Sequence, residues 1–598
     1  MSQDNALGSS ASLQGVSGEN VKIMIDGVPV IGRQDGNIDL NQINMNNIER
    51  IEIVEGPLSV NYGTNALAGT INLISRKDQK ENVVTGFNTY YESVGQYNID
   101  GRVSLSKKAH RIGFSGGRNY FDGWSDGEEF TLIPKSEPAD TSRIKQWNPK
   151  EQVFGDVQYQ LTLKSNTIRL FANVFEEAIL DRGSPRAPYY ESAFDQHFKT
   201  FRYSIGADLS GTTSEKVSWK FLTSYNDYVR SKETYFKDLT NLEEQLSANS
   251  ADHDTSRFES VMNRASVVLG RASARIRGEI GYDLFFETAY GKRIMEKTAS
   301  MGDYALFGSV EWNVSPQLLI KPGLRIAHNT KYNAPPVPAI NIKYAKGKSN
   351  LRASYAMGFR TPSLKELHFE FVDVNHNIHG NDDLGAETSH NFQLDAGYKM
   401  VTNQTVTNFE LGLFYNNISN MISLAQQGGS ATYSYINIGK YKTHGIEAGV
   451  NYTHNHWKNT VGFAYTGRSN QIDDSVMVNG MSYSPEMRLT ILYEFKKLEG
   501  NLSFNYKYNG ELPSYTVDEG GEIVETKIQA YQLLDLIGSK FFWSRRITLS
   551  FGVKNLLDVK NIQNSGPAGG VHSGGAGDVP ISWGRSYFAS LKFNMGWK

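Results

Sequence analysis

Asn501-Leu502-Ser503-Phe504-Asn505-Tyr506-Lys507-Tyr508 is the stretch whose reading decides the fold. Its even positions are apolar or aromatic, its odd positions polar or charged, so a chain with a side-chain period of two buries one face and wets the other. The same alternation recurs in Ile547, Leu549, Phe551 and Val553 against Thr548, Ser550, Gly552 and Lys554. It recurs again in Tyr203, Ile205, Ala207 and Leu209, and in Phe409, Leu411, Leu413 and Tyr415. Segments of this kind, separated by Gly/Asn/Asp/Ser-rich stretches, fill the chain from about residue 80 to its end.

A water-soluble sandwich would show the same local pattern. Three features favour a membrane barrel. The wet face carries Gly, Asn, Lys and Asp freely, as the wall of an aqueous lumen does. Tyr and Phe gather at expected strand ends (Tyr90-Tyr91, Tyr433, Tyr435, Tyr587-Phe588), as in interfacial girdles. The repeat also runs on without the linkers that would divide a soluble array of this size into domains. At roughly 23 residues per strand and connection, residues 81–598 give about 22 strands. Long connections are expected at 121–150, 178–199, 229–256, 360–388, 424–433 and 562–583. The last strand, Ser586 to Phe593, must pair with the first to remove both edges.

Composition agrees and excludes. Lys+Arg number 61 and Asp+Glu 63, which gives no reason to expect a nucleic-acid partner. The absence of Cys rules out disulfide frameworks, thiolate metal sites and cysteine nucleophiles. No apolar run is long enough for a transmembrane helix, which leaves a strand-built span open. The polar start Met1-Ser2-Gln3-Asp4-Asn5 is not a secretory signal.

Residues 1–78 read as a small α/β unit, and 79–598 as the barrel. Val21–Ile25 is a strand, Asp26-Gly27 a turn into a short strand at Val28–Val30, and Ile48–Glu55 a strand stopped by Gly56-Pro57. A helix-like piece over Asn61–Gly69 leads to the strand Thr70–Ile74. These stretches, with Tyr62-Gly63 and Ala68-Gly69, resemble the plug domain of TonB-dependent outer-membrane receptors. In the barrel part, Phe359-Arg360-Thr361-Pro362 is similar to the family's Phe-Arg-Ala-Pro box, and Asn381-Asp382-Asp383-Leu384 to its Asn-Pro-x-Leu box. Val553–Asp558 and Gly584-Arg585 are similar to its closing segments. Thr361 and Asp382 depart from the usual Ala and Pro, and Asn594–Lys598 run past the usual terminal aromatic.

The resemblance implies an all-β transmembrane barrel of about 22 antiparallel strands with the plug inside its lumen, in the outer membrane and in contact with its lipid. It implies import of a scarce iron chelate, a ferric siderophore foremost, by plug movement driven through TonB of the TonB–ExbB–ExbD complex. Haem or cobalamin is the alternative cargo within the family; a passive porin or adhesin barrel and a soluble sandwich are the alternatives outside it. Family plugs carry residues before Leu13-Gln14-Gly15, including the TonB box, so the resemblance implies an N-terminally truncated plug.

Among candidate site residues, Arg33 and Gln34 sit in the expected apical plug loop, Ile31–Ile38, where they could contact an anionic or amide-rich ligand. Asp26 and Gly27, the charged strand with Glu49, Arg50, Glu52 and Glu55, and the Gly56-Pro57 turn are expected to be structural or coupling residues, with ion pairs from plug to wall. Arg360 is expected to pair with wall or plug carboxylates, supported by Phe359, Pro362, Asn381 and Leu384. His368, His376 and His379 lie between the two boxes, where haem receptors of the family resemble this arrangement by supplying an axial imidazole; residues 1–78 hold no second His. The Gly-rich loop 569–577 lacks the Lys of a phosphate loop. Asp252-His253-Asp254 and Asp473-Asp474 are weak cation candidates. No nucleophile–base or paired-carboxylate arrangement stands out, so no enzyme, cofactor or metal centre is expected.

Overall fold

A computed structural model describes all residues except 1, 5–7, 11, 33–37, 56–59, 61–62, 64–66, 77–80, 129–136, 373–376, 427–432, 472–480, 518–522, 565–576 and 598. From Val83–Glu92 to Ser586–Trp597 the chain forms a closed antiparallel barrel of 22 wall strands. Closure is made by the terminal strand on the first: Phe588 lies opposite Glu92 and Trp597 opposite Val83. Asn594–Trp597 are therefore wall residues, not an overhang, because four more pairs are needed to satisfy the first strand's backbone down to its start.

The connections separate by end. At one end they span 108–109, 164–165, 215–216, 270–275, 314–317, 347–348, 402–404, 455–456, 496–499 and 543–546. Positive φ at Lys108, Lys164 and Asn455 (55°, 48° and 51°) fits such tight hairpins. The opposite end carries the long stretches 122–149, 239–253, 361–386, 510–530 and 555–585. Two long connections expected from sequence are shorter than 178–199 and 229–256. Asn166–Arg182, Ser192–Ser214 and Val217–Asp238 run on as strands of 17, 23 and 22 residues, leaving only 183–191 and 239–253 between elements. Paired backbones continue above the membrane there, although the apolar alternation stops.

The outward face is an apolar belt. Ile276, Ile280, Leu284 and Phe286 are all exposed along one strand, and Trp312, Val310, Leu306 and Tyr304 along the next. Aromatics bound the belt, but only one of each adjacent pair can face outward. Tyr91 packs at a tilt against Tyr97 on the outer face, whereas Tyr90 points into the lumen and donates to Glu92.

The plug's four-stranded sheet has the order Val28–Pro29, Val21–Ile25, Gly69–Ser75, Ile48–Glu55, with only the central pair parallel. Ser12–Leu13 and Val16–Ser17 form a tight hairpin with φ 49° and 81° at its two central residues, so Gln14-Gly15 is a turn between two short strands. The helix-like piece at 61–69 lies largely outside the described residues. A core of Val21, Ile23, Ile43, Leu67, Leu73 and neighbours holds the sheet and continues onto the wall through Ile418 and Tyr441. No described helix is long and apolar enough to cross a membrane.

Candidate functional site: the plugged lumen and its mouth

Register fixes what the lumen sees. Arg202 donates to the plug carbonyl of Gln42 at 2.6 Å, so the residues on its face of the long strands point inward. Outward from the plug that face carries Arg202 opposite Tyr228, Thr200 opposite Arg230, and Phe198 opposite Lys232; the next strand adds Phe258 opposite Tyr228. Arg230 lies 5.3 Å from the Phe198 ring centroid and Arg202 5.0 Å from that of Phe175. Tyr228 is fully buried against the plug: a Cβ on Gly32 (φ 94°) would come within 2.3 Å of its ring. The apical plug loop therefore starts directly beneath a cation- and aromatic-lined wall. Of these residues, Phe198, Arg230 and Lys232 fall in the stretches 178–199 and 229–256 that the sequence marks as connections. Continuing the alternation through 192–238 would have found them.

Arg33 and Gln34, expected in that loop, lie outside the described residues. Asp26 holds the plug to the wall: Arg169 pairs with it at 2.7 Å, and Ser75 donates to it from both its hydroxyl and, at 3.1 Å, its amide. Asp26 has φ 51° and Gly27 φ 86°, and Gly27 N donates to Asn72 at 3.0 Å, so this turn aims the carboxylate at the wall. The charged strand behaves otherwise. Arg50 pairs with Glu52 two residues on, at 2.8 Å, on a partly exposed face, and Glu49 lines a cavity beside Arg76. The described wall contacts come instead from Gln14, Asp26, Gln42 and Asn44. The side chain of Glu55, and Gly56 and Pro57, are outside the described residues.

The two boxes fold into one buried cluster. Arg360, 3% exposed, reaches Glu366 through two hydrogen bonds of 2.9 and 3.0 Å and Glu387 through one of 2.6 Å. Glu366 caps the short helix Leu364–His368 by accepting from Ser363 N at 2.7 Å, and Glu387 accepts from Ile422 N at 2.7 Å. Phe359 and Pro362 are buried; Leu384 packs with Leu364 and Leu367. Asn381 donates to Tyr435 O at 2.9 Å. The described residues of 361–386 thus form a strap at the mouth, bonded at Glu370 N to Arg293 O (2.8 Å) on one side and paired at Ile378 with Tyr433 on the other.

His368 Nδ1 lies 2.9 Å from Asp382 on this strap, its Nε2 is enclosed with no hydrogen-bond partner among the described residues, and burial pushes its pKa down. His379 pairs through its backbone with Glu370, and His376 lies outside the described residues. Asp252 is engaged within its own turn by Ser247 (2.5 Å) and Asp254 by Arg293 (3.1 Å); Asp473 and Asp474 are outside the described residues. The one described group of three acidic side chains close enough for a cation, Glu137, Asp195 and Glu244, is occupied by Arg143 and Lys237 at 2.7 to 3.1 Å.

A lipid-facing strand barrel, closed on itself and stoppered by a globular sheet bonded to its inner wall, is the architecture of a plugged outer-membrane receptor. The chain matches the description "TonB dependent receptor-like, beta-barrel" over residues 146–556 and "TonB-dependent Receptor Plug Domain" over residues 1–70, and it belongs to the TonB-dependent receptor family. It is 23% identical over 581 residues to the vitamin B12 transporter BtuB of Vibrio cholerae, covering 93% of this chain and 84% of that one. It is 20% identical over 671 residues to the ferric enterobactin receptor of Pseudomonas aeruginosa, covering 97% and 86%. Its fold matches the crystal structure of the siderophore receptor PirA from Acinetobacter baumannii with a TM-score of 0.75, at 17% identity over 99% of this chain and 94% of that chain. Members of this family are receptors and transporters of the outer membrane, not enzymes.

Proposed function

We propose that this receptor imports a ferric siderophore, an anionic iron chelate, by plug movement coupled through TonB. The observation that carries the reading is the inner wall of the mouth, where Arg202, Arg230 and Lys232 alternate with Phe198, Tyr228 and Phe258 directly above the plug. Guanidinium and ammonium groups on aromatic platforms suit a ligand that is both anionic and ring-bearing. Such a wall gives less to cobalamin, whose bulk carries little net charge. Haem ligation by His368 would require the strap to turn, because its Nε2 is enclosed. Two relatives named for ferric enterobactin support the reading; one named for vitamin B12 keeps cobalamin in the test.

The test is tryptophan quenching of purified protein by ferric enterobactin, haem and cobalamin, with Arg230→Ala/Lys232→Ala alongside. Saturable binding of the ferric chelate, weakened in the double variant, is the expected result. Binding of cobalamin alone, or chelate binding indifferent to both cations, would overturn the reading.

A further inference from the structure

The plug is not held equally on all sides. Toward strands Thr405–Gln426 and Tyr433–His454 its apolar core runs onto Ile418 and Tyr441, and Val60 packs with Phe307 and Phe359. Such contacts exclude water and resist separation. Toward strands Gln96–Lys107, His110–Phe121, Lys150–Leu163 and Asn166–Arg182 the plug is held instead by polar contacts, Asp26–Arg169 and Gln42–Glu177 at 2.7 Å and Gln152 to Asn41 O at 3.1 Å among them, and leaves a gap beside them. Two cavities lie in that gap. The upper runs beside Asp26, Gln42 and Arg169; the lower, about 400 Å³, opens near the short-turn end beside Glu49, Arg76, Arg102 and Arg111. They share Asn47, Asp156 and Gln158, so one narrow waist separates them.

The waist is bridged by single hydrogen bonds. Asn44 donates to Asp156 at 3.4 Å and Gln158 to Arg76 O at 3.2 Å. Below the waist, Arg76 of the plug lies within electrostatic reach of Arg102 and Lys592 on the lumen wall, with one carboxylate, Asp100, beside the two wall cations. Arg102 donates to the neutral Asn594 at 3.0 Å, and none of these three cations is in an ion pair among the described residues.

We infer that the crevice between the plug and strands Gln96–Arg182 is the transit route through this receptor, and that Arg76, Arg102 and Lys592 form an exit site for anionic cargo on the short-turn side. This rests on the import reading above and adds the side, the waist and the exit. The lower chamber falls near the small end of ligand-sized cavities, about 300–1,000 Å³, so the plug must withdraw at the waist before a chelate passes. Withdrawal there breaks hydrogen bonds and the Asp26–Arg169 pair and leaves the apolar seam opposite intact.

The route can be tested without knowing the cargo, by conductance of the full chain in planar bilayers with potassium chloride. Arg169→Ala, which cuts the latch over the crevice, is expected to open a leak that prefers chloride. In that background, Asn44→Cys/Asp156→Cys bridged by a short reducible dithiol linker is expected to close the leak, and reductant to restore it. Arg102→Ala/Lys592→Ala is expected to abolish the chloride preference. A linker across Gln14→Cys/Asn416→Cys, on the opposite side, is expected to leave the leak open. Should Arg169→Ala not assemble, Gln158→Ala replaces it at the waist. A silent channel in both, closure by the opposite linker only, or unchanged selectivity without Arg102 and Lys592 would overturn the inference. Because no chelate enters this measurement, a failed binding test and a failed route remain distinguishable.

Discussion

Arg360→Ala is the perturbation whose consequence the structure specifies most fully. The guanidinium is 3% exposed and is shared by Glu366 and Glu387, whose side chains are 11% and 2% exposed. Truncation leaves two carboxylates close together with little water, and removing one partner of a buried pair costs about 3–5 kcal/mol. The barrel's backbone ladder is untouched, so the loss falls on the strap 361–386, which Glu366 caps and Glu387 ties to Ile422 N. At 1.4 kcal/mol per tenfold, amides of Leu364–Phe369 should exchange about a hundred- to a few-thousand-fold faster. Hydrogen exchange read by mass spectrometry, on protein in lipid nanodiscs, measures this directly. Arg360→Lys keeps the charge but cannot bond both Glu366 oxygens and Glu387, and should fall between wild type and Arg360→Ala. Exchange in the strap unchanged within a factor of about two, well below the smallest loss expected for a buried pair, would refute the reasoning.

Other consequences are as definite. Leu306→Arg, at an outward position 68% exposed, should destabilise the barrel by about 2–4 kcal/mol in lipid-vesicle unfolding, whereas Glu279→Arg on the lumen face should not. Asp26→Asn should weaken plug docking, scored in urea by protease access to residues 48–55, by about 3 kcal/mol, the low end for a broken buried pair, because Arg169 keeps Asp208 at 3.4 Å. Burial lowers the pKa of His368, so its unfolded form binds a proton first as pH falls; strap protection should be full above about pH 6.5 and decline below it. His368→Gln should remove that dependence, and equal protection at pH 7.5 and 5 in wild type would count against it.

Alternation alone carried the barrel. Leu502 and Phe551 face outward as their positions imply, and the count of strands follows from chain length and spacing. Ile48–Glu55 was legible as a strand, yet not which way its charges point, because that depends on which sheet face meets the wall. Arg360's pairing with carboxylates was an expectation its neighbours Glu366 and Glu387 fit, while the reciprocal cap from Ser363 needed coordinates. The mouth residues Arg230 and Lys232 were hidden for a physical reason. Above the membrane a strand no longer needs a greasy face, so the signal that marks strands fades where the wall of the mouth begins.

The central claim is energised import of an iron chelate through this plugged barrel. Accumulation of iron-55 enterobactin by cells expressing the receptor, with TonB present or deleted, tests it most directly. Saturable surface binding in both strains, with accumulation only where TonB is present, is the expected result. Equal accumulation in both, or no surface binding in either, would contradict it.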